Sequence, residues 1–199
     1  MTVISVQTLF ESPVRADVPV SPWVQRFAHL LPSGQILDLA CGGGRHTHWL
    51  LALGYAVMAL DRNPEVLPAL YARGANVMQH DLEPSIETTD WPFAESVFSG
   101  IIVCNYLHRP LFPHLLASLE PGGVLIYETF AQGNADFGKP SNPAFLLKHG
   151  ELLQQMRSNP GVQMQVIAYE EGFVTSPKDA MVQRICARKA AFSSAFDHL

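Results

Sequence analysis

Short apolar runs alternate with stretches of helical periodicity along most of the chain. Continuous apolar runs such as 100–104 are typical of strands buried on both faces. Apolar residues spaced three and four positions apart, as in 44–53, predict helices with one buried face. The pattern predicts strands at 35–39, 56–60, 76–79, 100–104, 124–128, 162–168 and 181–188, and helices at 23–31, 44–53, 64–73, 111–119 and 143–157.

This order of elements predicts an α/β fold. Strands that alternate with helices form a parallel sheet covered by helices on both faces. The last two predicted strands are joined by a short polar connection, so we expect them to pair antiparallel at one edge. The sequence predicts a doubly wound, mostly parallel seven-stranded sheet that ends in an antiparallel hairpin. Residues 23–190 would form this single domain, between an irregular lead-in at 1–22 and a tail at 191–199.

Composition narrows the class of protein. The net charge is -5 and the pI is about 5.9, whereas a protein that binds duplex nucleic acid normally carries a basic stripe. The longest uncharged apolar run, 49–60, is too short to span a bilayer, and the first residues lack a secretory pattern. Three cysteines cannot build a disulfide framework, and no histidine pair has a metal-binding spacing. We expect a reduced, cytoplasmic protein without a metal or a membrane partner.

The carboxyl ends of the predicted strands carry the candidate chemistry, because ligands of open parallel sheets bind there. Asp38 lies in the first strand, and glycines follow it before the next helix. Glycines allow a sharp turn and a close approach of a ligand to the backbone. The three glycine positions of a dinucleotide fingerprint hold Ala40, Gly42 and Arg45, which argues against a dehydrogenase.

Two further acids follow the next two strands. Asp61 ends the second predicted strand, where a carboxylate can accept both hydroxyls of a ribose. Asp81 follows the third strand, where a carboxylate can accept an amino N–H such as that of adenine. With the glycine turn, these residues predict an adenosine pocket.

These motifs resemble those of class I S-adenosylmethionine-dependent methyltransferases. Residues 36–44 match the first motif of that family, with Ala40 in place of its first glycine. Asp61, the pair Asp81-Leu82 and the Pro-Gly-Gly turn within 119–126 match later motifs, and the resemblance covers roughly residues 34–188. Residues 38–46 and 145–153 are also similar to small bacterial methyltransferases of the tellurite-resistance type.

The resemblance implies a Rossmann-like methyltransferase fold, S-adenosylmethionine as cofactor, and a set of cofactor-binding residues. Asp38 would hold the glycine loop, Asp61 the ribose, and Asp81 with Leu82 the adenine. The implied set is Asp38, Ala40, Cys41, Gly42, Gly44, Asp61, Arg62, Asp81, Leu82, Cys104 and Asn105.

The residues after the fourth strand are candidates for the acceptor side. Tyr106, His108 and Arg109 could align a small-molecule acceptor, with His108 as a base and Arg109 as a partner for an anion. The alternative for 108–110 is a helix lead-in that bonds to the backbone. No Pro-Pro-aromatic run follows Asn105, which with the acidic pI makes a nucleic-acid acceptor unlikely. The alternatives for function are a non-catalytic S-adenosylmethionine-binding regulatory module and an RNA or protein methyltransferase.

Overall fold

A computed structural model describes residues 19–85 and 87–191, which form a seven-stranded sheet between two layers of helices. The strands are β1 Gln35–Leu39, β2 Ala56–Asp61, β3 Asn76–Gln79, β4 Phe98–Cys104, β5 Leu119–Phe130, β6 Met164–Val174 and β7 Ala180–Lys189. The α-helices are α1 Pro22–Phe27, α2 Arg45–Ala52, α3 Leu67–Ala72, α4 Phe112–Ser118 and α5 Glu151–Arg157. Residues 1–18, most of the predicted lead-in, lie outside the described residues, as does 192–199 of the predicted tail.

The strand order is β3-β2-β1-β4-β5-β7-β6. β1 to β5 pair in parallel, whereas β7 pairs antiparallel with both β5 and β6. β2 and β3 lie on one side of β1, and β4 lies on its other side. The direction in which strands are added to the sheet therefore reverses after β3, and the point of reversal lies next to β1. The predicted doubly wound sheet with an antiparallel C-terminal hairpin is confirmed.

Alternation along the central strands sends side chains to two separate cores. Ile36 and Ile102 pack with α1 and α2 on one face, and Leu37 and Ile101 pack with α4 and α5 on the other. Asp38 has the same parity as Ile36, so it points to the α2 face. There it meets Thr47 of α2.

Three predicted helices differ from the structure. The helix predicted at 23–31 ends at Phe27 and continues as a 3-10 turn, Ala28–Leu30. The helix predicted at 143–157 is divided into a 3-10 turn, Pro143–Phe145, and α5, because 146–148 runs extended. In that stretch the Leu147 N–H donates to the Phe130 carbonyl at 3.0 Å and the Leu147 carbonyl accepts from Gln132 N at 2.9 Å, so tertiary pairing overrides the helical spacing. The helix predicted from 64 begins at Leu67 instead.

Pro68 accounts for the shorter helix. It lies within the first two positions of α3, where a proline needs no amide donor. Asn63 accepts a hydrogen bond from Glu65 N at 3.0 Å and so makes a turn before the helix rather than its cap. Within the described residues, no helix has the length and hydrophobicity needed to cross a membrane.

The connection from β1 to α2 depends on left-handed backbone at three positions. The φ angles are 52° at Ala40, 52° at Gly42 and 75° at Gly44. A side chain at Gly44 would also collide with Leu70 of α3. Alanine at position 40 therefore carries strain that a glycine there would not, and Gly44 has a steric need for glycine.

Opposite substitutions at these two positions should change the free energy of unfolding in opposite directions. We expect Ala40→Gly to be neutral or to stabilise by up to about 1 kcal/mol, since relief of left-handed strain exceeds or matches the added entropy of the unfolded chain. We expect Gly44→Ala to destabilise by about 2 kcal/mol, because strain and overlap with Leu70 add. Urea unfolding of the three proteins measures both values, and a Gly44→Ala protein as stable as wild type would contradict this account of the turn.

Candidate functional site

A cleft with two lobes opens at the carboxyl ends of the parallel strands, and the lobes meet at Ala40. The lobe between β2 and β3 has a volume of about 230 Å³, and the lobe between β1 and β4 about 320 Å³. The β2–β3 lobe is lined by Ala40, Leu60, Asp61, Arg62, His80, Asp81, Leu82, Glu83 and Tyr106. The β1–β4 lobe is lined by Asp38, Leu39, Ala40, Cys41, Gly42, Gly43, Arg45, His46, Cys104 and Asn105. All residues predicted to bind the cofactor line the cleft except Gly44, which instead starts α2.

A hydrogen bond to Asp61 joins the glycine turn to the end of β2. The Asp61 Oδ2 accepts from the Gly42 N–H at 2.7 Å, and its Oδ1 accepts from the Asn63 N–H at 2.9 Å. A carboxylate has about four acceptor positions, so two remain for further donors. The side chain therefore shapes the cleft and can still receive hydroxyl groups within it.

Asp38 is a buried carboxyl at the floor of the β1–β4 lobe. Its Oδ2 accepts from Thr47 Oγ1 at 2.6 Å. Burial raises the pKa of Asp38 to about 6, and the hydrogen bonds from Thr47 and the charge of Arg45 offset only part of that rise. A cation placed in this lobe would favour the ionised form of Asp38.

Asp81 and Leu82 occupy the far wall of the β2–β3 lobe. The Asp81 Oδ1 accepts from the Glu83 N–H at 3.0 Å, which fixes the carboxylate at the end of β3. Leu82 is buried, and its carbonyl accepts from Thr89 Oγ1 at 2.7 Å. These bonds hold the polypeptide after β3 against the lobe.

A buried polar cluster borders the β1–β4 lobe on the α1 side. The Ser21 N–H donates to His46 Nε2 at 3.2 Å, and Ser21 Oγ donates to Glu128 Oε1 at 3.0 Å. Glu128 also forms an ion pair with Arg184, with 2.6 Å between Oε2 and Nε. The pKa of His46 is lowered to about 3 by burial and by the charge of Arg45, so its ring stays neutral and accepts from Ser21.

Sequence reasoning did not find this cluster. Its members lie on four separate segments, and Ser21 and Glu128 are 107 positions apart. The one available signal is an acid, Glu128, at the end of an apolar strand that is otherwise buried. Nothing in the sequence pairs it with a serine of the first helix.

Tyr106 is the predicted acceptor-side residue that faces the cleft. Its side chain lines the β2–β3 lobe, and its carbonyl accepts from the Tyr127 hydroxyl at 2.8 Å. Burial and a hydrogen bond to Glu83 raise the pKa of the Tyr106 phenol. Tyr106 therefore keeps its proton near neutral pH and donates it to Glu83.

His108 and Arg109 are not brought to the cleft. The Nε2 of the buried His108 lies 2.9 Å from the Thr88 carbonyl, so this nitrogen carries the proton and donates. Arg109 binds both carboxylate oxygens of Glu151, at 2.7 and 2.9 Å. Its remaining donors reach the carbonyls of Ala144 and Leu146 at 2.7 and 2.9 Å. These bonds match the alternative prediction, in which 108–110 leads into a helix and bonds to the backbone. We therefore assign His108 and Arg109 a structural role, in which they hold the surrounding loops in place.

Known proteins share this architecture and part of this sequence. A family model described as a methyltransferase domain matches residues 36–123. A malonyl-[acyl-carrier protein] O-methyltransferase of Pectobacterium atrosepticum is 35% identical over 119 residues, which cover 55% of this chain and 45% of that protein. The chain thus spans about half the length of the curated relatives it matches.

Solved structures extend the likeness over most of the chain. TehB of Haemophilus influenzae superposes with a TM-score of 0.67 and 18% identity, covering 85% of this chain and 62% of TehB. A Burkholderia thailandensis 1,6-didemethyltoxoflavin-N1-methyltransferase, solved with that compound and S-adenosylhomocysteine, gives a TM-score of 0.59 at 21% identity and covers 84% of this chain and 76% of that one. Residues 36–123 thus match a methyltransferase domain, and the chain shares its fold with methyltransferases of solved structure.

Proposed function

We propose that this protein transfers the methyl group of S-adenosylmethionine to a small-molecule acceptor. The observation that carries the proposal is one cleft along which Asp38, Asp61 and Asp81 follow one another at the ends of three neighbouring strands. Their order along the cleft would suit a ligand with a cationic end, a ribose and an amino-bearing base. The reversal of strand order beside β1 is also where open α/β sheets bind their ligands.

The residues of the cleft fit this cofactor. The β2–β3 lobe supplies Asp61 for the ribose hydroxyls and Asp81 for the adenine amino group, with Arg62 and Leu82 beside the ring. In the β1–β4 lobe, the ionised carboxylate of Asp38 would attract a cationic ligand, and Ala40, Cys41, Gly42, Cys104 and Asn105 surround the space next to it. Gly44 contributes through the turn, since it starts α2.

The chain needs to align and shield the reacting groups more than it needs to activate them. Bound S-adenosylmethionine supplies a methyl group on a sulfonium, which is already a good leaving group. Alignment of the acceptor and exclusion of water then account for most of the acceleration. Tyr106 lines the cleft where an acceptor would bind, while His108 and Arg109 fix the loops around it.

A small molecule is the acceptor class that the surface and the relatives favour. The net charge of -5 does not favour binding to nucleic acid. The Burkholderia neighbour acts on a small molecule, and the Pectobacterium relative on a malonyl group carried by a protein. The free thiols of Cys41, Cys104 and Cys186 support a reducing, cytoplasmic location.

A second candidate is a non-catalytic module that binds S-adenosylmethionine. This second candidate is favoured because the side chains of His108 and Arg109 bond to other groups of the protein. Neither side chain is then free to bind an acceptor. Formation of S-adenosylhomocysteine with a panel of acceptors separates the two. Turnover with any member supports the enzyme, whereas tight cofactor binding without turnover across carboxylate, amine, thiol and chalcogen acceptors favours the module.

Removal of the Asp61 carboxylate should weaken cofactor binding. We expect Asp61→Ala to raise the dissociation constant for S-adenosylmethionine at least about tenfold, because hydrogen bonds to a charged group are lost and the glycine turn loosens. Calorimetric titration measures this, with NADH as a control ligand that should not bind. Asp179→Ala, which removes an exposed acid from the β6–β7 connection, is the matched control. Unchanged affinity in a folded Asp61→Ala protein would refute the placement of the ribose.

Cofactor affinity should depend on the ionisation of Asp38. With a pKa of about 6 in the free protein, Asp38 is mostly protonated at pH 5 and mostly ionised at pH 7. A cationic ligand favours the ionised form, so binding releases a proton below pH 6 and weakens as the pH falls. We expect affinity at pH 5 to be roughly tenfold lower than at pH 7, in line with one linked proton.

Titrations at pH 5, 6 and 7 in buffers of different ionisation enthalpy measure both the affinity and the proton released. Asp38→Asn should abolish the dependence and lower affinity at pH 7. His46, with a pKa of about 3, is neutral throughout this range and does not contribute. Wild-type affinity that stays constant from pH 5 to pH 7 would show that Asp38 does not face the cationic end.

A further inference from the structure

We propose that Arg45 binds the carboxylate of the cofactor's amino acid end, so that Asp38 and Arg45 together recognise a complete α-amino acid. This inference rests on the proposed function and adds a residue to its site. Arg45 is the residue that breaks the dinucleotide glycine pattern, and the sequence alone gave it no role in binding. In the structure it lines the β1–β4 lobe together with Asp38.

The surroundings of Arg45 place its positive charge at this lobe. The guanidinium lowers the pKa of the carboxyl of Asp38, of the imidazole of His46 and of the thiol of Cys104. All three of these residues line the β1–β4 lobe. The Arg45 side chain therefore borders this lobe and acts electrostatically on several of its residues.

At the start of its helix, the positive charge of Arg45 would be stabilised by a negatively charged partner. Arg45 is the first residue of α2, and the first turn of that helix contains no acid. A cation at a helix N-terminus opposes the helix dipole, which costs stability. Across the described ranges 19–85 and 87–191, the side chain forms one hydrogen bond, from Nη1 to the Pro19 carbonyl at 3.1 Å. A guanidinium with donors to spare, beside a cleft, is suited to a carboxylate.

The amino acid end of S-adenosylmethionine carries one positive and one negative group. Asp38 offers an anion and Arg45 a cation on the same lobe, so the two side chains complement that end in both charge signs. A site with two opposite charges distinguishes S-adenosylmethionine from a similar ligand without the carboxylate better than a site with one charge does. The ligand without the carboxylate leaves Arg45 without its partner.

The segment that carries Pro19 and Ser21 positions Arg45. The Pro19 carbonyl holds one arm of the guanidinium, and Ser21 is fixed by His46 and Glu128. The buried cluster found beside the lobe is thereby connected to the cofactor site. Ser21 acts on the ligand through Arg45 and is a positioning residue.

The test compares S-adenosylmethionine with its decarboxylated form, which keeps the adenosine, the sulfonium and the amine but lacks the carboxylate. Calorimetry gives both dissociation constants for wild type, Arg45→Met and Arg45→Lys. We expect Arg45→Met to lose roughly 10- to 100-fold in affinity for S-adenosylmethionine, the effect of a charge-assisted hydrogen bond. Affinity for the decarboxylated ligand should be unchanged or slightly improved, and Arg45→Lys should recover part of the loss.

Two further variants complete the design. Arg73→Met removes an exposed cation outside the cleft and should leave both constants unchanged. Ser21→Ala should reduce affinity for S-adenosylmethionine by roughly threefold, because the hydroxyl that ties this segment to the Glu128 carboxylate is lost. It should not change affinity for the decarboxylated ligand, a difference that general loosening of the fold would not produce.

The outcomes separate the two proposals. An Arg45→Met protein that binds S-adenosylmethionine as well as wild type, or that loses affinity equally for both ligands, overturns the role of Arg45 and leaves the proposed function standing. A wild-type protein that binds neither ligand overturns both.

Discussion

The site depends on a backbone reversal that only a short run of left-handed residues can make. Between β1 and α2 the chain turns through Ala40, Gly42 and Gly44, and the carboxylate of Asp61 holds the Gly42 amide at 2.7 Å. That bond joins the turn after β1 to the end of the neighbouring strand β2. The start of α2 follows from this connection, whereas Asp38 below the turn is placed by the pairing of β1 with β2 and β4.

Most buried polar and charged groups around the cleft are ion-paired or hydrogen-bonded to one another. Glu128 is neutralised by Arg184, and His46 is kept neutral by burial and accepts from Ser21. Asp38 differs, because a hydroxyl hydrogen bond from Thr47 does not fully compensate its burial. A raised pKa means that its ionisation costs the ligand-free protein stability as the pH rises through 6. A cationic ligand would offset that cost, which couples binding to stability.

Patterns of neighbouring residues were sufficient to predict the strands of the sheet. They were not sufficient to predict contacts between segments that lie far apart in the sequence. The strands at 35–39 and 76–79 were predicted with their observed ends, since continuous apolar runs next to turn residues leave few alternatives. The residues proposed to bind the cofactor were predicted from their places at strand ends. The first half of the helix predicted at 143–157 is extended instead, because Leu147 pairs with backbone far away in sequence. The sequence also could not place the side chain of Arg109, since its partner is Glu151, which no spacing rule connects to it.

The Arg109–Glu151 ion pair fixes the path of the chain between β5 and α5. It joins the segment after β4 to the start of α5, while the Phe130–Leu147 backbone bond closes the same excursion. The residues between 131 and 147 are thus held at both ends. Loss of Arg109 would release one of these ends and would also leave the buried carboxylate of Glu151 without its partner, so the two effects on stability would add.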